Sequence, residues 1–270
     1  MISIVSASGG MDSTALIIHL LEKGNSVHAV SFNYGQKHII EIDRLKENIK
    51  YLKDNGYDVQ HHIFDLSSAF KTFKSVLTET ENEVPKGHYA QENMKETVVP
   101  NRNAIFASIV YGYALSVAQK ENQKVEIAMG THSGDHAIYP DCRPNFFHFL
   151  FHAFELGNWD SELVENYLPY INDDKEYILR DCLFCCEILK LDFDTVMTNT
   201  NTSYEPDELG RANGKTGSDV ERILAFHAIG REDPVEYADG WTNALQYALQ
   251  VEQEHINSTN TESKKSLSKE

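Results

Sequence analysis

Ile2-Ser3-Ile4-Val5-Ser6-Ala7-Ser8-Gly9-Gly10-Met11-Asp12-Ser13-Thr14-Ala15-Leu16-Ile17-Ile18 is the stretch that decides the fold. Ile2 to Ala7 is a short β-branched, apolar run that reads as a buried strand. Thr14 to Lys23 reads as a buried helix stopped by Gly24, with Asp12 and Ser13 as cap candidates. Between them, Gly9 and Gly10 let the backbone turn tightly and present successive N–H groups, and the helix start adds its partial positive charge. Ser8 and Ser13 add hydroxyl donors, so Ser8, Gly9, Gly10, Met11, Asp12 and Ser13 together read as a phosphate loop. Asp12 is not there to attract phosphate; its work is to cap the helix or to help hold a divalent cation bridging phosphates. On these residues alone a plain strand-to-helix turn with a Ser/Asp cap stays open. The loop lacks the lysine of a Walker motif and the glycine spacing of dinucleotide folds.

The rhythm continues outward. Val27 to Phe32 is a second strand, Glu41 to Asn55 an amphipathic helix, and His61 to Leu66 a third strand. Ala104 to Gln119 is a long helix with Ile105, Ile109, Tyr113 and Val117 along one face, followed by a fourth strand from Val125 to Gly130. Further helices are expected from Asn145 to Leu156 and from Asp174 to Lys190, while residues 67–97 read as a surface excursion near the ligand. Strand and helix in alternation give an α/β fold with a doubly wound parallel sheet. Residues 1–240 are read as one domain with a small C-terminal lobe, and the polar residues 252–270 as a disordered tail.

Composition narrows the partners. Among 270 residues there are 24 basic and 41 acidic side chains, for a net charge of −17. That balance opposes nucleic-acid binding, whose affinity comes from Lys and Arg displacing counterions, but a small anion can still be held by backbone N–H groups. No signal peptide and no membrane span are expected, and Cys182, Cys185 and Cys186 read as one buried helix face, so a cytoplasmic setting is inferred.

Further segments carry a resemblance. Phe32-Asn33-Tyr34-Gly35-Gln36-Lys37-His38 follows the second strand, and Val99-Pro100-Asn101-Arg102-Asn103 precedes the long helix. Gly130-Thr131-His132-Ser133-Gly134-Asp135-His136 and Tyr139-Pro140-Asp141-Cys142-Arg143 follow the fourth strand. With the phosphate loop, these resemble the 7-cyano-7-deazaguanine synthase family of N-type ATP-pyrophosphatases, in order, from about residue 3 to residue 237. The resemblance implies a sheet of the adenine-nucleotide α-hydrolase-like type, the cofactors ATP and Mg²⁺, and the substrates 7-carboxy-7-deazaguanine and ammonia. The product would be 7-cyano-7-deazaguanine, made through an adenylated carboxylate and an amide, with a homodimer as a compatible assembly. Asp12, Lys37 and Arg102 become the catalytic candidates, and Asp135, Tyr139, Asp141 and Arg143 the substrate-binding ones. His132 or His136 would serve beside them as a hydrogen-bond or proton-transfer group.

The family's four zinc cysteines are missing. Their positions hold Ser203, Asn213, Thr216 and Asp219, none a thiolate, so the resemblance is to a variant that has lost its zinc. Asp219 with Ser203 and Thr216 is expected to form a hydrogen-bond network instead. Rival readings are an enzyme that stops at the amide, a nucleotide-binding module without catalysis, and a tRNA-modifying relative.

Overall fold

In the computed structural model, which describes residues 1–78 and 83–267 (260–267 by backbone alone), the opening strand forms β1 (Ile2–Ser6). Ile4 and Val5 are fully buried because β1 lies at the centre of the sheet with a neighbour on each edge. The chain then runs α1 (Met11–Glu22), β2 (Ser26–Asn33), α2 (Ile40–Asp54), β3 (Val59–Asp65) and the short α3 (Ser67–Phe70). It continues through α4 (Arg102–Glu121), β4 (Val125–Met129), α5 (Pro144–Gly157), β5 (Val164–Tyr167) and α6 (Lys175–Leu189). Last come α7 (Phe193–Thr198), α8 (Gly217–Ala228) and α9 (Trp241–Leu267).

The strand order is β3-β2-β1-β4-β5, all parallel, with Val5 paired to Ala29 on one side and Ala128 on the other. Helices cover both faces, as expected. Leu16 and Leu20 of α1, Leu45 of α2 and Ile178 of α6 pack in one apolar cluster; Val110 and Ala114 of α4 and Phe147 of α5 pack in another. The winding reverses between β1 and β4, which opens a crevice at their carboxyl ends. Cys182, Cys185 and Cys186 are buried in the first cluster with free thiols, as the helical spacing indicated.

Four readings need correction. Helix α1 begins at Met11 with Gly10 at its N-cap and no side-chain cap bond, so Asp12 and Ser13 lie in the first turn rather than capping it. The buried face of α4 is Ala107, Val110, Tyr111, Ala114 and Ala118; small residues let the helix approach the sheet, and Ile105, Ile109, Tyr113 and Val117 are only partly covered. Residues 67–97 are not wholly superficial, since Phe70, Leu77 and Met94 are buried; within that segment, 79–82 lie outside the described residues. Strand β5 was not expected.

The C-terminal lobe has its own apolar cluster of Val220, Ile223, Tyr237, Ala244, Ala248 and Val251. Helix α9 continues to Leu267 where the sequence suggests disorder from about residue 252; Gln250–Glu254 and Gln253–Asn257 hydrogen bonds support the polar turns beyond Val251. Residues 268–270 of that expected tail lie outside the described residues. Among the described residues no helix is long and apolar enough to cross a membrane.

Candidate active site

The crevice is a pocket lined by the phosphate loop, the ends of β2 and β4, and the starts of α4, α6 and α8. Gly9 takes φ +98°, and a Cβ there would collide with the Glu41 carbonyl oxygen, so the loop can lie on α2 only as glycine. Ser13 Oγ accepts from the Ser8 and Gly9 N–H groups (3.3 and 3.4 Å), and Ser8 Oγ accepts from Gly10 N–H (3.0 Å). The two hydroxyls thus occupy the loop's N–H groups, a place phosphate oxygens can take over. Ser8, Gly10, Asp12 and Ser13 line the pocket; Met11 points into the core.

Asp12 faces a lysine that the sequence reading did not select. Lys175 Nζ donates to Asp12 Oδ2 at 3.0 Å and lies 3.2 Å from Glu221 Oε2 and 3.0 Å from His132 Nε2. Lys175 is 6% exposed. Burial disfavours its charge, but Asp12 and then Glu221 outweigh that and raise its pKa, leaving a permanent ammonium. Burial likewise pushes Asp12 up, yet the adjacent Lys175 ammonium, with a further contribution from His132, prevails and holds the carboxyl below its ordinary value. Asp12 Oδ1 is buried without a hydrogen-bond partner.

Across the pocket, Arg102 is the first residue of α4. It donates to Tyr34 OH at 3.5 Å, lies over the Tyr139 ring at 5.8 Å, and makes no carboxylate ion pair among the described residues. Tyr139 is buried, with its hydroxyl 2.6 Å from Thr97 Oγ1 and 3.3 Å from Tyr204 OH. Asp135 accepts from Tyr89 OH at 3.0 Å. His38 and Glu41 complete this wall. Burial pushes Glu41 up to about 8 against the Gln36 hydrogen bond, and burial, aided by Arg102, drops His38 to about 3, so both are neutral at pH 7.

Of the residues selected from sequence, Asp12, Arg102, Asp135 and Tyr139 are brought together in the pocket with the loop. Lys37, Asp141 and Arg143 do not line it. The Lys37 N–H bonds the Leu77 carbonyl, Asp141 accepts the Asn103 N–H at the start of α4, and Arg143 Nε donates to the His136 carbonyl. Lys175 and Glu221 were missed. One signal pointed to Lys175: like Arg102 it opens a helix, where the macrodipole disfavours a cation by about 0.3–1 kcal/mol.

At the positions that the sequence reading matched to zinc ligands, Asp219 Oδ2 accepts from Thr216 Oγ1 at 2.6 Å and from Ser203 Oγ at 3.1 Å, and Thr216 and Asp219 form a capping box for α8. Asn213 accepts from the Lys215 and Thr216 N–H groups. Neutral hydroxyls, an amide and a single carboxylate do not suit tetrahedral Zn²⁺, whose structural sites use thiolate and imidazole. Burial lifts Asp219 to about 6 despite its hydrogen bonds from Thr216 and Ser203.

Comparison with known proteins gives the family of the chain. A family model described as "Queuosine biosynthesis protein QueC" matches residues 2–230. The 7-cyano-7-deazaguanine synthase of Psychromonas ingrahamii is 40% identical over 237 residues, covering 87% of this chain and 97% of that protein. The enzyme of the same name from Caldicellulosiruptor saccharolyticus is 40% identical over 236 residues, covering 87% and 95%. Among solved structures, an NMN synthetase from Francisella tularensis overlays with a TM-score of 0.37 at 14% identity, covering 92% of this chain and 84% of that one. With a model matching from β1 to the end of α8 and enzymes matching over most of both lengths, this chain is an enzyme of the QueC family of queuosine biosynthesis.

Proposed function

We propose that the protein uses ATP to convert 7-carboxy-7-deazaguanine and ammonia to 7-cyano-7-deazaguanine. The observation that carries the reading is that two cations line one pocket, Lys175 beside the glycine loop and Arg102, which has no acidic partner among the described residues. Arg102 is half-buried with no counter-charge among the described residues, which suits an anion that arrives with the ligand. A carboxylate attached to a planar base, set among Tyr34, Tyr139 and Tyr204, fits it; Arg can take a carboxylate through two parallel bonds.

The chemistry then follows. A substrate carboxylate oxygen attacks the α-phosphorus of ATP, the bond to the β-phosphate oxygen breaks, and pyrophosphate leaves. Ammonia adds to the acyl carbon and AMP leaves with loss of a proton, giving the amide. The amide oxygen attacks the α-phosphorus of a second ATP and pyrophosphate leaves; loss of AMP and protons from the adenylated imidate leaves the nitrile. Loop N–H groups and Lys175 stabilise charge on the phosphates, the preorganised stabilisation that removes most of such barriers. Asp12 Oδ1, buried and without a partner among the described residues, would hold Mg²⁺, which would supply charge neutralisation at the phosphates. Asp135 presents a carboxylate for the N–H edge of the base. Neutral Glu41 and His38 keep a second charge away from Arg102.

Incubation with 7-carboxy-7-deazaguanine, ammonium and Mg-ATP, followed by product masses, tests this. Nitrile with AMP and pyrophosphate supports the reading, amide alone supports the shortened one, and ATP binding without turnover refutes both. We also expect no stoichiometric zinc by elemental analysis and an unchanged thermal midpoint in a strong chelator. One tightly bound zinc per chain would overturn the assignment of Ser203, Asn213, Thr216 and Asp219 to the metal positions.

A further inference from the structure

Glu221 has no part in the reading above and does not itself line the pocket, yet its side chain lies against two residues that do, Lys175 and His132. It comes from α8 in the C-terminal lobe, whereas the phosphate loop, Asp12 and Lys175 belong to the sheet domain. Space is made for it: a Cβ on Gly134 would collide with Glu221 Oε1. Its delivery is rigid. The capping box of Thr216 and Asp219 fixes the first turn of α8, Val220 and Ile223 pack into the lobe, and Ala225 and Phe226 pack into the main core. Arg222, the next residue, is locked to Asp233 by two bonds of 2.6 and 2.9 Å.

We propose that Glu221 is a positioning residue, which keeps the Lys175 ammonium aimed at the phosphate loop once Asp12 turns to the divalent cation. This rests on the proposed function. Without ligand, Lys175 shares Asp12 and Glu221 at 3.0 and 3.2 Å. When Mg-ATP binds, Asp12 cannot serve the lysine and the cation equally, and Glu221 is the carboxylate that stays. Its Oε2 lies close to Nζ but outside hydrogen-bond geometry, so a small movement of the lysine toward the loop keeps the pair within reach. The lobe, where Ser203 and Thr216 both donate to Asp219, therefore contributes to the nucleotide site through one side chain.

The test uses the full chain as Glu221→Gln, Lys175→Met and the double variant, with AMP release, calorimetric ATP binding and thermal midpoint measured for each. For Glu221→Gln we expect kcat to fall about tenfold to a hundredfold, the scale of losses from misplaced catalytic groups. KM, ATP affinity and midpoint are expected to stay near wild type. The double variant is expected to be no slower than Lys175→Met, because both changes act through one lysine. Wild-type kcat in Glu221→Gln alongside an impaired Lys175→Met overturns the positioning role alone. A loss that follows a lowered midpoint, or that adds fully to the lysine variant, overturns it too. Wild-type kcat in both single variants instead overturns the reading of Lys175 in the proposed function.

Discussion

Asp12→Ala is expected to abolish AMP formation, by at least about a thousandfold in kcat, while the protein unfolds as cooperatively as wild type. Removing a single preorganised electrostatic contact costs about a hundred- to a thousandfold in well-studied sites. Asp12 offers both carboxylate oxygens to the site: Oδ2 accepts from Lys175, and Oδ1, without a partner among the described residues, is the acceptor suited to Mg²⁺. The fold tolerates the change because Asp12 does not cap α1, and Lys175 retains Glu221 as a counter-charge. The check is AMP release with a urea melt on the same preparation. Wild-type turnover in the variant would remove Asp12 from the mechanism.

Arg222→Ala is expected to cost the largest loss of stability of any single change in the lobe. The Arg222 and Asp233 side chains are 2% and 0% exposed and are joined by bonds of 2.6 and 2.9 Å. The guanidinium also donates to Thr200 Oγ1 at 2.7 Å and Thr202 Oγ1 at 3.0 Å. Breaking a buried pair leaves one uncompensated charge and costs about 3–5 kcal/mol. A urea midpoint lowered by that equivalent, with an unchanged slope, is the expected result. A loss under about 1 kcal/mol would mean that water reaches Asp233.

The glycine turn between β1 and α1 and the alternation of strand and helix were legible because both are local. An apolar run, two glycines and a helical period are all read within a few neighbouring residues. Strand β5 was not legible: Val164-Glu165-Asn166-Tyr167 has no alternation, and its only partner in the sheet is β4. The pocket's electrostatics were less legible still. Lys175 meets Asp12 across 163 residues of chain, and no spacing rule reports such a contact. Asp141 and Arg143 illustrate the converse. Their motif was read as one unit, but Tyr139 turns into the pocket while Asp141 caps α4 and Arg143 lies on the surface. The hydrogen-bond network expected of Ser203, Thr216 and Asp219 is present, since both hydroxyls donate to the Asp219 carboxylate.

The convergence of helix starts on the pocket bears on how fast a nucleotide arrives. Helices α1, α4, α6 and α8 all begin there, and two of them open on a cation, yet the chain as a whole carries −17. A polyanion approaching from solution meets repulsion first and attraction only at the mouth. At physiological ionic strength charges are screened over about 8 Å, which silences the distant carboxylates while leaving the ends of the helices in contact range. Adding salt is therefore expected to quicken the association of ATP and leave its dissociation nearly unchanged, the reverse of an electrostatically steered encounter.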